Sequence, residues 1–199
     1  IKVGKHDGEN AIINVLRYHE APSAIVFANT RATVGRLTTR LSNRGFSVVC
    51  LSGELSQSER SHALQAMRDG RARICVATDV AARGIDLPKL DLVIHAELPS
   101  NHETLLHRSG RTGRAGRKGT SVLVVAPNNL RKAERILKSA KLNAEWGSAP
   151  TADEVLAKDH QRLLENDVWT REPNPAHADM VSKLLELFGP ERIAAAFLE

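Results

Sequence analysis

Aromatic side chains are scarce: Phe, Trp and Tyr make up 4% of the 199 residues, too few for recognition of bases by rows of stacked rings. Cysteine is rarer still. Cys50 and Cys75 exclude a disulfide scaffold and a cysteine-rich zinc site, and both lie in apolar stretches, so they are expected as buried thiols in a reducing compartment. No apolar run approaches the ~18 residues that would cross a bilayer. The start, Ile1-Lys2-Val3, offers neither a secretory n-region nor an initiator Met. Nowhere is there a Gly-x-x-x-x-Gly-Lys-Ser/Thr loop to cradle the α- and β-phosphates of a nucleotide. The expectation is a cytoplasmic chain, with no membrane partner, cut from something longer.

What is present begins with charge. Residues 1–150 carry 23 Lys and Arg against 13 Asp and Glu, whereas residues 151–199 carry 5 against 10. A cationic body points to a polyanion, with nucleic acid or nucleotide phosphate first; the plainer alternative is a solvated basic surface. The apolar share of 42% suffices for a core.

Short β-branched runs at Ala24–Phe27, Val48–Leu51, Ile74–Ala77, Leu92–Ile94 and Val122–Val125 read as strands covered on both faces. Between them lie helical patterns at Arg31–Arg44, Ser56–Met67, Asn101–Arg108 and Asn128–Ala140, the second opened by the capping box Ser56-Gln57-Ser58-Glu59. Alternating strand and helix with short links requires a parallel sheet, which binds ligands beyond the carboxyl ends of its strands. After Gly147-Ser148-Ala149-Pro150 the chain turns helical: a second capping box at Thr151-Ala152-Asp153-Glu154, a helix at Ala178–Phe188, and a last one from Gly189-Pro190. The fold class is therefore α/β at 1–148, followed by an all-α extension at 149–199.

Two stretches carry chemistry. In His107-Arg108-Ser109-Gly110-Arg111-Thr112-Gly113-Arg114-Ala115-Gly116-Arg117, three glycines spaced by three should end the helix near Gly110 and let Arg111 and Arg114 converge. Paired guanidiniums need a strong anion between them, and phosphate accepts their bidentate bonds; a disordered Arg/Gly-rich tail or a plain cationic loop are the alternatives. In Ala77-Thr78-Asp79-Val80-Ala81-Ala82-Arg83-Gly84-Ile85-Asp86, Thr78 and Gly84 offer donors to a phosphodiester and Asp86 an acceptor for a sugar hydroxyl. Asp79 and Asp86 could instead form a metal or acid/base pair, but no further ligand lies nearby at metal spacing, so no metal site is expected.

Together these stretches resemble the second RecA-like domain of the DEAD-box RNA helicases, over roughly residues 1–146. Ala24-Ile25-Val26-Phe27-Ala28-Asn29-Thr30 looks like motif IV, Gln57-Ser58-Glu59-Arg60 like the Gln-x-x-Arg element, Ala77–Asp86 like motif V and His107–Arg114 like motif VI. The resemblance implies a RecA-like parallel sheet. It also implies that Arg111 and Arg114 are arginine fingers reaching ATP held, with Mg²⁺, mainly on an N-terminal RecA-like partner domain absent from this chain. Asp86 would bind the ribose, while His107 and Arg108 would touch the partner domain's acidic motif. Thr30, Arg31, Gly53, Thr78 and Gly84 would hold the RNA sugar-phosphate backbone, supported by Gln57 and Arg60. Ser52-Gly53-Glu54 stands where the family commonly has His-Gly-Asp, and Leu105 where an aromatic is common.

With neither the phosphate-cradling loop nor an Asp-Glu-Ala-Asp sequence, the chain reads as half of an ATP-dependent RNA helicase, inactive alone. The rival readings are a non-catalytic RNA-binding or dimerising module and a DNA-directed enzyme of the same superfamily. For 149–199 the resemblance offers a homodimerisation element, as certain bacterial members carry; the alternative is helices laid on the domain's own surface.

Overall fold

The computed structural model describes residues 1–83, 90–113 and 119–198. Five parallel strands, β1 (Ala24–Phe27), β2 (Val48–Leu51), β3 (Ile74–Ala77), β4 (Leu92–His95) and β5 (Thr120–Leu123), form one sheet in the order β2-β3-β1-β4-β5. Register runs in step, with Ala24 opposite both Ile74 and Leu92 and Phe27 opposite Ala77 and His95, so the strands end at one common edge.

Both faces of the sheet are covered. Val26, Ile74, Val76, Leu92 and Ile94 pack with Ile12 and Leu16 of α1 (Gly8–His19) and with Val34, Leu37 and Leu41 of α2 (Arg31–Ser42). The opposite face, Ile25, Phe27, Cys75, Ala77 and Val93, packs with Ala66 and Met67 of α3 (Gln57–Arg68) and Ala81 and Ala82 of the short α4 (Asp79–Ala82). Strand alternation explains the division, since consecutive side chains leave opposite faces. The continuous apolar runs of β1, β3 and β4 are buried at every position, as a parallel sheet covered on both sides requires. Helices α5 (His102–Ser109) and α6 (Leu130–Ser139) share a smaller cluster in which Leu105 meets Ile136 and Leu137. Leucine therefore fills the place under His107 where the family commonly has an aromatic.

Local chemistry sets the helix ends. The Ser56 hydroxyl accepts from the Glu59 amide while the Glu59 carboxylate accepts from the Ser56 amide, the expected reciprocal box. Thr151 and Glu154 repeat it at the start of α7 (Ala152–Leu164). Lys141 stops α6 in the left-handed region at φ 54°, with the Leu142 amide returning to the Leu137 carbonyl.

Several expectations need adjustment. α1 precedes the first element that the sequence reading placed; its buried stripe is Ala11, Ile12, Val15 and Leu16. β5 begins and ends two residues earlier than expected: Thr120 already pairs with Leu92, and Val125 pairs instead with the chain start, donating to the Ile1 carbonyl and accepting from the Val3 amide. Cys75 is fully buried, but Cys50 is only half-buried.

The chain divides into two compact units, Ile1–Lys158 and Asp159–Glu199. The first runs ten residues past the shift in composition. Pro150 accepts a 2.7 Å bond from Asn14 Nδ2, and Val155 on α7 is buried. In the second unit, Asp167–Thr170 and Pro175–His177 are 3-10 turns, and α8 (Ala178–Leu198) is broken at Gly189, whose φ of 73° is left-handed. Pro190 then begins the last segment, as expected. Trp169 meets Phe197 edge to face at 5.9 Å, yet Leu164, Leu187, Phe188 and Phe197 remain exposed. Among the described residues no helix is long and apolar enough to cross a membrane.

Candidate nucleotide and RNA interface

The carboxyl edge of the sheet gathers the segments after β1, β2 and β3 and the start of α5. At its centre lies Arg108, which is 1% exposed. Its Nε and one Nη donate to the two oxygens of Asp79 at 2.7 Å each, a planar fork on a carboxylate. The same Nη donates to Asn29 Oδ1 at 2.7 Å, and the other to the Glu97 carbonyl at 2.8 Å. The guanidinium also lies 5.2 Å from the Phe27 ring centroid. One side chain on α5 thus joins the ends of β1, β3 and β4. The expected contact of Arg108 with a partner domain's acidic motif stands beside this burial and these four hydrogen bonds within the domain.

Beneath it, His95 is fully buried at the end of β4. Its Nε2 lies 3.1 Å from Ser121 Oγ and 3.4 Å from Ser109 Oγ, and its Nδ1 has no hydrogen-bond partner among the described residues. Burial, reinforced by the Arg108 charge and opposed by Asp79, pushes the imidazole pKa down to about 3, so the ring is neutral.

Helix α5 starts at Asn101, whose side chain accepts from the Thr104 amide at 2.8 Å, and ends at Gly110 as the glycine spacing predicts. A Cβ on Gly110 would sit 3.0 Å from the Leu106 carbonyl oxygen. His107 is exposed on the last turn and Arg111 is half-buried just beyond it. The turn is pinned where Thr112 Oγ1 donates to the Leu90 carbonyl at 2.6 Å, and Gly113 follows at φ 71°. Arg114, Asp86 and Gly84 lie outside the described residues, so the pairing of Arg111 with Arg114 and the ribose and RNA contacts expected of Asp86 and Gly84 do too.

The expected RNA-facing residues divide. Thr30 and Arg31 follow β1 and are exposed, with the Thr30 hydroxyl capping α2 through the Thr33 amide. Arg31 pairs with Glu54, and its Nη2 would lie 3.2 Å from a Cβ on Gly53, so these loops meet. Gln57 is exposed on the first turn of α3. Arg60 donates to the Ala81 carbonyl at 2.6 Å and holds the turn after β3. Thr78 is nearly buried at 8% exposure, its hydroxyl accepting from the Ala81 amide at 3.4 Å, so it acts there as a cap. Nothing in the sequence marks Asn29 or Glu97 for a role, and Asp79 stands out there only as a metal or acid/base candidate. The Arg108 fork instead occupies Asp79. Among the described residues no group of three His, Cys, Asp or Glu could hold a metal.

A parallel sheet with a basic Gly-rich turn anchored at its carboxyl edge is the helicase C-terminal class: residues 8–116 match the helicase conserved C-terminal domain. Among curated proteins, the RNA helicase CrhR of Synechocystis is 37% identical over 95% of this chain and 39% of its own length. Among solved structures, the E. coli DEAD-box protein SrmB bound to regulator of ribonuclease activity A superposes with a TM-score of 0.68 at 34% identity, covering 77% of this chain and 89% of that one. S. cerevisiae Dbp5 bound to RNA and ADP BeF3 superposes with a TM-score of 0.67 at 29% identity, over 80% of this chain and 42% of that one. The chain belongs to the DEAD-box RNA helicases, as a superfamily 2 C-terminal RecA-like domain. It spans 22% to 39% of the length of the first curated relatives.

Proposed function

We propose that this chain is the C-terminal lobe of an ATP-dependent RNA helicase and that it completes, rather than contains, the catalytic pocket. The observation that carries this reading is the Arg108 clamp. By tying α5 to the ends of β1, β3 and β4 it places exposed His107 and the Arg111 turn at the sheet edge on a rigid base. Arg111 and Arg114 then stabilise charge developing on a transferring phosphoryl group, a role worth roughly 10³–10⁵ in rate when an arginine supplies it. ATP, held with Mg²⁺ mainly by the N-terminal lobe, supplies the phosphoryl group; the lack of a phosphate-cradling loop in this sequence supports that division. Asp86 accepts from the ribose, and His107 meets the partner lobe.

RNA lies across Thr30, Arg31, Gly53, Gln57 and Gly84, contacted through its sugar-phosphate backbone, so this lobe reads little sequence. Glu54 competes with phosphate for Arg31. Thr78 and Arg60 act beneath, fixing the turn after β3. Closure of the two lobes holds one strand in a path that a continuous duplex cannot follow, and base pairs part locally. The Dbp5 structure with RNA and ADP BeF3 supports both ligands.

In the full-length protein, Arg111→Ala should lower RNA-stimulated ATP turnover by roughly 10³ or more while RNA affinity persists. Equal loss of both would assign the residue to RNA. The exposed apolar side chains of Asp159–Glu199 support a homodimer through the extension. Sedimentation equilibrium at 21.7 kDa for the chain would exclude it. A cytoplasmic location is part of the same proposal.

A further inference from the structure

Helix α6 and the residue that stops it carry a concentration of positive charge that the reading above does not use. Between Leu130 and Lys141 stand Arg131, Lys132, Arg135, Lys138 and Lys141, against the single acid Glu134. None of the five makes a salt bridge or side-chain hydrogen bond with any described residue. Several surface arginines elsewhere are answered: Arg36 and Arg40 share Glu9, and Arg71 meets Asp69. Self-repulsion among unanswered cations on one helix is relieved by a polyanion.

Their placement is ordered. Ala133, Ile136 and Leu137 are buried against the domain, whereas Arg131, Arg135 and Lys138 are exposed. At 3.6 residues per turn these three fall within a sector of roughly 60° opposite the buried face, spread over about 10 Å of helix axis. At about 3.4 Å of axis per phosphate on a strand, that length faces about three phosphates. Lys132, at the start of the helix, lines a cavity of about 240 Å³ with Lys5, Asn29 and Glu97. Lys132 stands about 100° round the helix from Arg131, outside that sector, and brings the first turn of α6 beside Asn29 at the sheet edge.

We infer that the outer face of α6 is a second, sequence-independent docking surface for RNA, which takes the phosphates of a strand that extends beyond the sheet-edge site. It rests on the reading of this chain as an RNA helicase lobe. Two features favour RNA over an acidic protein. The stripe lacks an apolar centre, which protein interfaces need, and its evenly spaced exposed cations suit contacts to phosphates, which fix position without reading sequence.

The test compares full-length wild type with the triple variant Arg131→Gln, Arg135→Gln, Lys138→Gln, which keeps good helix formers. Affinity is read by fluorescence anisotropy on a ten-nucleotide and a thirty-nucleotide RNA across a salt series, with a thermal melt as folding control. The long RNA should bind the variant at least about tenfold more weakly at 0.1 M salt. Its log-log salt slope should be shallower by about 2, because each single-strand phosphate that a cation neutralises contributes ~0.7 to the slope. The short RNA should bind equally well. A companion variant with Arg131→Lys and Arg135→Lys should retain both the affinity and the slope. Unchanged binding of the long RNA overturns the inference, as does equal weakening on both lengths. So does unchanged RNA binding with loss of affinity for a poly-glutamate peptide, which would assign the face to an acidic protein. A wild type that binds neither RNA sinks the helicase reading beneath; one that binds both but is indifferent to the stripe sinks this inference alone.

Discussion

Replacing Arg108 by Ala strands three groups at once. The Asp79 carboxylate loses a fork of two 2.7 Å bonds, and the Asn29 amide and the Glu97 carbonyl lose one bond each. Breaking a buried pair from one side costs ~3–5 kcal/mol. Asp79 is 29% exposed, so water answers part of the deserted charge and about 3 kcal/mol is the fitting figure. For a domain of 150–250 residues each kcal/mol lowers Tm by ~2–4 °C, so the variant should melt about 6–12 °C below wild type. The informative comparison is the double variant Arg108→Ala with Asp79→Ala. Removing the stranded carboxylate should recover ~1–2 kcal/mol of the loss, with Asn29 and Glu97 still unanswered. Urea titrations of wild type, both single variants and the double variant give the coupling directly. Arg108→Lys should fall between, since an ammonium keeps the charge but not the fork. If Arg108→Ala costs less than ~1 kcal/mol, or if the two single losses simply add, the clamp is ornamental and the support it lends Arg111 disappears.

Three further outcomes follow from individual contacts. His95, with its pKa pushed down to about 3 by burial, stays neutral in the folded chain while its unfolded counterpart gains a proton below ~6.5. Stability should therefore fall as pH drops from about 6.5, by ~1.4 kcal/mol per unit; a pH 5 to 7 urea series in which His95→Gln shows the same slope would refute this. A Cβ on Gly119 would collide with Thr112 Oγ1 and the Gly113 nitrogen, whereas one on Gly35 meets nothing within 4 Å. Gly119→Ala should cost ~1–3 kcal/mol and slow ATP turnover in the full-length protein, while Gly35→Ala within α2 should stabilise by ~0.5–1 kcal/mol; thermal melts and turnover rates check both. The Cys75 thiol, raised to about 12 mainly by burial, should resist a thiol reagent at pH 8 until urea unfolds the chain, with Cys50 reacting first; simultaneous labelling in native buffer would contradict the packing.

Much of the architecture was readable before any coordinate. Three strands match residue for residue, because a continuous β-branched run such as Ile74–Ala77 has few other stable fates once both faces are covered. The capping boxes at Ser56 and Thr151 and the stop at Gly110 were legible for the same reason: their chemistry is confined to four or five neighbouring residues. The α6 stripe shows in the sequence only as a basic helix, since nothing local tells whether distant carboxylates answer those cations.

Residue types and short-range order therefore determined the parallel α/β class, the strand-end location of the site and the identity of the basic Gly-rich turn. Packing alone decided what each polar side chain does there. Arg108 and Arg111 stand three residues apart in one motif, yet one is enclosed by Asp79, Asn29 and Glu97 and the other lies half-exposed beyond the helix end. Asp79 and Asn29 are 29 and 79 residues away from Arg108. Such partnerships arise only when the sheet brings strand ends together, because a charge is buried or solvated according to its neighbours in space, not along the chain.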